Sequence, residues 1–99
     1  MKGGCVYILT NKNHTVLYTG VTSDLKVRVY KHKVGFYPKS FSSRYNVNKL
    51  VYYCWFDSIE DAIAEEKRIK AGSREKKFIL IQSMNPEWED LWYTDVTKW

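Results

Sequence analysis

Two tyrosines, an arginine, a histidine and a glutamate stand where their side chains are out of keeping with their neighbours: Tyr7, Tyr18, Arg28, His32 and Glu66. Tyr7 is central in Cys5-Val6-Tyr7-Ile8-Leu9, and Tyr18 is central in Val16-Leu17-Tyr18-Thr19-Gly20. Asn11-Lys12-Asn13-His14 separates these runs, the pattern of a hairpin with a longer loop. Its arms are neighbours, so both phenols can share one sheet face. Arg28 and His32 fall one helical turn apart beside the apolar positions Leu25 and Val29, which turns them toward the sheet. Glu66 takes the fourth place in the stripe Ile59, Ala62, Ile63 and Ile69, while Glu65 falls on the polar side. A carboxylate turned inward must be paired, protonated or bound to a metal. Phosphodiester hydrolysis uses such groups. Something must orient or deprotonate water, and arginine's fork can stabilise charge on the phosphate. A carboxylate can hold a hard divalent cation that keeps its waters. Each group also has a plain structural role: core packing for the rings, a rim salt bridge for the glutamate.

The elements that must position these groups follow from periodicity and punctuation. Strands are expected at about 4–10 and 16–20, with Gly20 marking a turn or a close approach. Thr22-Ser23-Asp24 offers N-caps for a helix from Leu25 to Lys33, with Val21 a further member of its apolar stripe. Residues 34–48 break any period. Their aromatics Phe36, Tyr37, Phe41 and Tyr45, interleaved with Lys39 and Arg44, suit either pinning of the loop to the core or stacking on bases. Lys49 to Phe56 reads as a third strand, apolar on both faces and so central or covered on both sides. Asp57-Ser58 caps a second helix that ends at Ala71-Gly72. Ser73 caps a third over about 74–83, with Phe78, Ile79 and Ile81 apolar. Pro86 opens a last short turn through Trp88 and Leu91. The ring-rich end, with Trp88, Trp92, Tyr93 and Trp99, either packs back or forms a surface for a protein partner or a homodimer. The expected architecture is one α+β domain over 1–99, a small three-stranded antiparallel sheet flanked by helices.

Composition narrows the class. The chain has 99 residues, room for one domain, and no apolar run approaches a membrane span. No secretory signal is recognisable, and the expected location is the cytoplasm. Cys5 and Cys54 are too few for a disulfide scaffold and have no paired-cysteine spacing, so small apolar core residues are expected. The net charge of +5 is unevenly spread. Between Asp24 and Asp57 there is no acidic residue, while Lys26, Arg28, Lys31, Lys33, Lys39, Arg44 and Lys49 fall there. The tail carries Glu87, Glu89, Asp90 and Asp95 against Lys98. Such a block suits either a polyanion, usually nucleic acid, or a solvated loop. Phosphate-loop, dinucleotide-binding, zinc-protease and nucleophile-elbow motifs are absent, and a single inward carboxylate does not make a glycosidase pair.

Val6-Tyr7-Ile8, Tyr18-Thr19-Gly20, Leu25-x-x-Arg28-x-x-x-His32 and Glu66-x-x-Ile69-Lys70, in that order, resemble the GIY-YIG nuclease domain. The likeness is greatest to small stand-alone bacterial members, which share phrases similar to Val21-Thr22-Ser23-Asp24-Leu25, Lys49-Leu50-Val51-Tyr52-Tyr53 and Met84-Asn85-Pro86-Glu87-Trp88. The resemblance implies metal-dependent hydrolysis of DNA in repair or processing. It makes Tyr18 the base or water-orienting group and Tyr7 a placing group. Arg28 becomes the phosphate ligand, His32 a supporting or proton-transfer group, and Glu66 the ligand of Mg2+ or Mn2+. Lys31, Lys33, Lys39, Arg44, Lys70 and Arg74 become candidate DNA contacts. The chain departs from the family in Cys5 near the first motif and in Val21 where repair members carry lysine. It also has no asparagine between Arg74 and Ser83. A catalytically weak nucleic-acid-binding module of the same fold is the alternative. A protein-interaction domain working through the tryptophan-rich tail is a third reading.

Overall fold

The computed structural model describes residues 3–36 and 44–99. Strand β1 (Gly4–Thr10) lies in the middle of a three-stranded antiparallel sheet, between β2 (Leu17–Thr22) and β3 (Lys49–Phe56). Every residue of β1 is buried, because both faces of the sheet are covered. Alternation then sorts its side chains. Cys5, Tyr7 and Leu9 enter the first face with Leu25 and Val29 of helix α1 (Leu25–Lys33). Leu91 of the short helix α4 (Leu91–Thr94) and Val96 of the following 3-10 turn complete that core. Val6 and Ile8 enter the second face, under Ala62 and Ile69 of α2 (Ile59–Ala71) and Ile81 of α3 (Arg74–Met84). The α+β architecture is as expected from the sequence.

Strand β3 is not central but an edge strand; its unbroken apolar sequence reflects cover on both faces. A bulge adds to this pattern. Ile8 faces Tyr52 while Leu9 faces Leu50, so Val51 is the extra residue. Val51 and Tyr52 therefore both join the second face, and Leu50, Tyr53 and Trp55 the first. Strand β2 runs past Gly20 to Thr22, and Val21 pairs with Val6 and packs on the second face instead of extending the α1 stripe. Of the three cap candidates for α1, Asp24 takes the role, accepting a bond from the Val27 amide at 3.2 Å.

Two apolar expectations change in the helical half. Ile63 and Ile79 are exposed, so the stripe of α2 narrows to Ala62, Ile69 and the glutamates between them, and that of α3 to Phe78 and Ile81. Pro86 stands in a turn, and the last helix starts later, at Leu91, capped by Asp90. Buried Asn85 fixes that turn: its amide donates to the carbonyls of Val51 (3.3 Å) and Glu89 (2.8 Å) and its oxygen accepts from the Glu89 amide (3.0 Å). Trp88 has φ of 54°, and its ring lies tilted against His14 (4.7 Å between ring centres) and edge-on to Phe78 (5.1 Å). Of the C-terminal rings, Trp88 is buried, Trp92 packs half-buried on the first core, Trp99 meets Tyr53 edge-on at 5.4 Å while partly exposed, and Tyr93 is exposed. Phe36 and Tyr45 are exposed rather than pinned in the core, and Tyr37, Lys39 and Phe41 lie outside the described residues. Among the described residues no helix is long and apolar enough to cross a membrane.

Candidate active site

Tyr7 pairs with Gly20 across the hairpin, and Leu9 pairs with Tyr18. The two tyrosines are thus diagonal neighbours on one face, the contact expected for large rings on adjacent strands. Their ring centres are 6.3 Å apart. His32 completes the group from α1, 6.1 Å from the Tyr7 ring and 5.6 Å from the Tyr18 ring. The Tyr7 hydroxyl lies 3.3 Å from His32 Nε2. Gly20 permits this arrangement. A Cβ there would stand 2.5 Å from both Cζ and the hydroxyl oxygen of Tyr7. The glycine of the second motif is therefore the space occupied by the tyrosine of the first. The ring lies across β2, the outer strand, so its hydroxyl is carried toward the sheet's edge.

Burial, and secondarily the nearby charge of Arg28, lower the His32 pKa from 6.5 to about 4. The ring is neutral at pH 7, so one of its nitrogens is free of a proton and can accept one. Arg28 is half-buried one turn before it. The structure thus brings the Tyr7, Tyr18 and His32 rings together, with the charge of Arg28 close enough to act on His32.

Glu66 comes from elsewhere. It sits on the sheet-facing side of α2, which covers the second face, whereas the tyrosines belong to the first. Its side chain is only 14% exposed, and its carboxylate accepts from Lys70 Nζ at 3.0 Å. Lys70 in turn lines a shallow groove of about 310 Å³ with Leu17, Tyr18, Thr19 and Lys77. Helix α2 packs against both β1 and β2. Tyr18 reaches the groove beside β2 from the first face, Lys70 reaches it from the α2 side, and Tyr7 stays fully buried behind Tyr18. The alternation rule placed each residue on its own element, but only the helix's position relative to the sheet decides which face it covers. Glu65, expected in solvent, is half-buried; Arg68 grips both its oxygens and holds its carboxyl below the usual range.

The candidate DNA contacts divide. Lys31 lies over the Phe36 ring at 4.7 Å, and Arg44 is exposed. Lys70 is at the groove. Lys33 is committed to the fold, bonded to Asp90 at 2.6 Å and to the Asn48 carbonyl at 2.9 Å. Arg74 ties α3 to the hairpin turn through the Thr15 carbonyl at 2.8 Å. Lys39 lies outside the described residues. Lys77 also lines the groove, and nothing in the Lys76-Lys77 pair as sequence distinguishes the one that faces it. Burial pushes the Cys5 thiol up to about 12, as suits a core residue rather than a reactive one.

Among the described residues no three His, Cys, Asp or Glu side chains gather as a metal cage. Glu66, paired with the groove residue Lys70, is a single hard oxygen donor. That donor set fits a magnesium-like cation, which keeps several waters and takes the rest of its ligands from substrate phosphate.

Known proteins resemble this chain in sequence and in fold. The profile of the GIY-YIG catalytic domain matches residues 3–78. A UPF0213 protein of Syntrophus aciditrophicus is 36% identical over 87 residues, covering 88% of this chain and 98% of its own. A UPF0213 protein of Staphylococcus saprophyticus is 40% identical over 76 residues, covering 77% of this chain and 90% of its own. The solution NMR structure of a UPF0213 protein from Bacillus halodurans superposes with a TM-score of 0.56 at 32% identity, covering 88% of this chain and 90% of that one. Its motifs, its fold and these relatives together make the chain a member of the GIY-YIG family, whose catalytic domain is a nuclease.

Proposed function

We propose that this protein is a metal-dependent endonuclease that hydrolyses DNA phosphodiester bonds, selecting DNA structure rather than sequence, in repair or processing. The observation that carries the reading is the Tyr7–Tyr18–His32 ring cluster beside Arg28, next to a groove that Tyr18 shares with Lys70, the ion-pair partner of Glu66. A hydrophobic core has no need to bury a neutral histidine against a phenol and beside a guanidinium. A proton path does.

Tyr18 borders the groove and orients the attacking water. Tyr7 hydrogen-bonds neutral His32, which takes up the proton as the water's oxygen bonds to phosphorus. Arg28 offsets the charge that grows on the phosphate oxygens. Glu66 is the residue to hold Mg2+ or Mn2+, and when bound that ion polarises the phosphoryl oxygen and eases departure of the leaving oxygen. Lys70, now on Glu66, is a natural contact for a neighbouring phosphate.

The test is cleavage of plain duplex, flapped and branched DNA with magnesium, manganese or chelator, beside Glu66→Ala and Tyr18→Phe. Metal-dependent cutting is expected, reduced in each variant by about 10²-fold or more, the scale of a lost catalytic group. DNA binding without any cutting, unchanged in Glu66→Ala, would favour the binding-module reading instead.

A further inference from the structure

Helices α2 and α3 enclose a second concavity of about 290 Å³, where the end of one meets the first turns of the other. Ile69, only 3% exposed, and Leu80 supply its apolar surface, while Arg68, Lys76 and Lys77 supply its cations. Lys77 lines both this pocket and the groove that holds Tyr18 and Lys70. The two concavities are therefore neighbours that share a lysine.

The chemistry of the pocket is specific. A bare phosphate would need only cations. An apolar floor calls for a ligand that also has an apolar surface. Arg68 is not a loose cation: Glu65 grips its Nε at 2.8 Å and one terminal nitrogen as well, which fixes the guanidinium as a plane. Fixed guanidinium planes are surfaces on which bases stack. Lys77 is likewise held, donating to the Gly72 carbonyl at 2.9 Å. The volume is at the lower end of small-ligand pockets, roughly 300 Å³, enough for one base but not for a pair. A base in duplex is stacked and unreachable.

We propose that this pocket takes one unpaired nucleotide of the strand being cut, its base against Ile69, Leu80 and the Arg68 plane and its phosphate near Lys76 and Lys77. The idea rests on the nuclease reading of the Tyr18 groove and gives it a substrate class, DNA with an unpaired nucleotide next to a duplex. Selection then comes from what can enter the pocket, with no base sequence read.

The test uses 2-aminopurine, which loses fluorescence when it stacks. It is placed at the first, second or third unpaired position of a tail beside a duplex, in a fully paired control, and in free 2-aminopurine nucleoside 5′-monophosphate. Titrations run in chelator, so binding is read without cutting. Fluorescence is expected to change at one tail position and not in the paired control. Ala71→Trp, which fills the pocket from its exposed rim, and Lys76→Glu are each expected to weaken that signal by about tenfold, the worth of one stacked base. Circular dichroism of both variants confirms that they fold. An equal response from paired and unpaired probes, or a signal that survives both variants, overturns the proposal. A response from the free monophosphate with none from any tail position also overturns it, leaving a nucleotide site unrelated to cutting. Parallel cleavage assays keep the two ideas apart. Cutting without the tail signal sinks only the pocket, and the tail signal without cutting sinks only the nuclease reading.

Discussion

His32 on α1 and Glu66 on α2 pose the same problem with opposite solutions. Each is a polar residue among the apolar positions of a helix that faces the sheet. His32 is solved by removing charge: burial and Arg28 keep it neutral, and two phenol rings enclose it. Glu66 is solved by keeping charge at the rim, where Lys70 balances it and more than half of Lys70's side chain remains in water. The first solution depends on fit and the second on electrostatics in a wet setting. Disturbing the first region should therefore cost folding free energy as well as activity. Disturbing the second should cost activity alone.

The largest effect is expected from Gly20→Ala. Its methyl group would occupy the space of the Tyr7 ring, and neither β1 nor β2 can give way without breaking their pairing. Overpacking of this kind destabilises by roughly 1–3 kcal/mol. Urea unfolding should show this loss, and cleavage should fall with it because Tyr7 loses its place. Adding Tyr7→Val should relieve the clash, so the double variant should lose less stability than the sum of the two single losses, and regain none of the cleavage. If Gly20→Ala alone unfolds at the native urea concentration, the ring does not depend on that space and the contrast between the two regions weakens.

A smaller effect separates charge removal from plain packing. Native His32 resists protonation until about pH 4, whereas the unfolded chain takes up that proton near 6.5. Across this window the unfolded state binds more protons, so stability falls as pH drops from 6.5 toward 4 and is level above 6.5. Allowing for partial solvent screening, the loss is about 2 kcal/mol. Glu65 acts lower on the scale, because its carboxyl pKa is depressed below 4.5 and its contribution is lost only as pH falls through that depressed value. Urea midpoints at pH 7 and pH 4.5 should differ clearly in the native chain and much less in His32→Gln. An unchanged difference in the variant would mean that His32 is not the group titrating.

Strand and helix limits were readable because local rules decide them. The strand from Lys49 to Phe56 follows from an apolar run, and the α2 start follows from a serine that caps by accepting the Asp61 amide. The tyrosine pair was readable because strand alternation and a hairpin suffice to place it. What lay beyond local rules was long-range. The Val51 bulge depends on what β1 offers opposite. Asn85 reads as a helix stop, yet its side chain is spent on a carbonyl in β3. Alternation and helical spacing suffice to bring Tyr7, Tyr18 and His32 together, but for Glu66 helix periodicity says only that it turns inward, not toward which side of the sheet.

The smallest effect on folding belongs to Glu66→Gln, and it tests the comparison most sharply. The substitution keeps the side chain's size and its inward place, and removes only the charge that Lys70 balances. An ion pair with one partner half in water contributes little, about 0.5 kcal/mol or less. The urea midpoint should hardly move. Cleavage, by contrast, should drop by about 10²-fold or more, because an amide is a poor ligand for a hard divalent cation. Adding salt should reduce even the small stability difference, since the pair is screened. A loss of several kcal/mol at the same position would show that Glu66 is held as His32 is, by burial within a packed core, and the two regions would then share one solution instead of two.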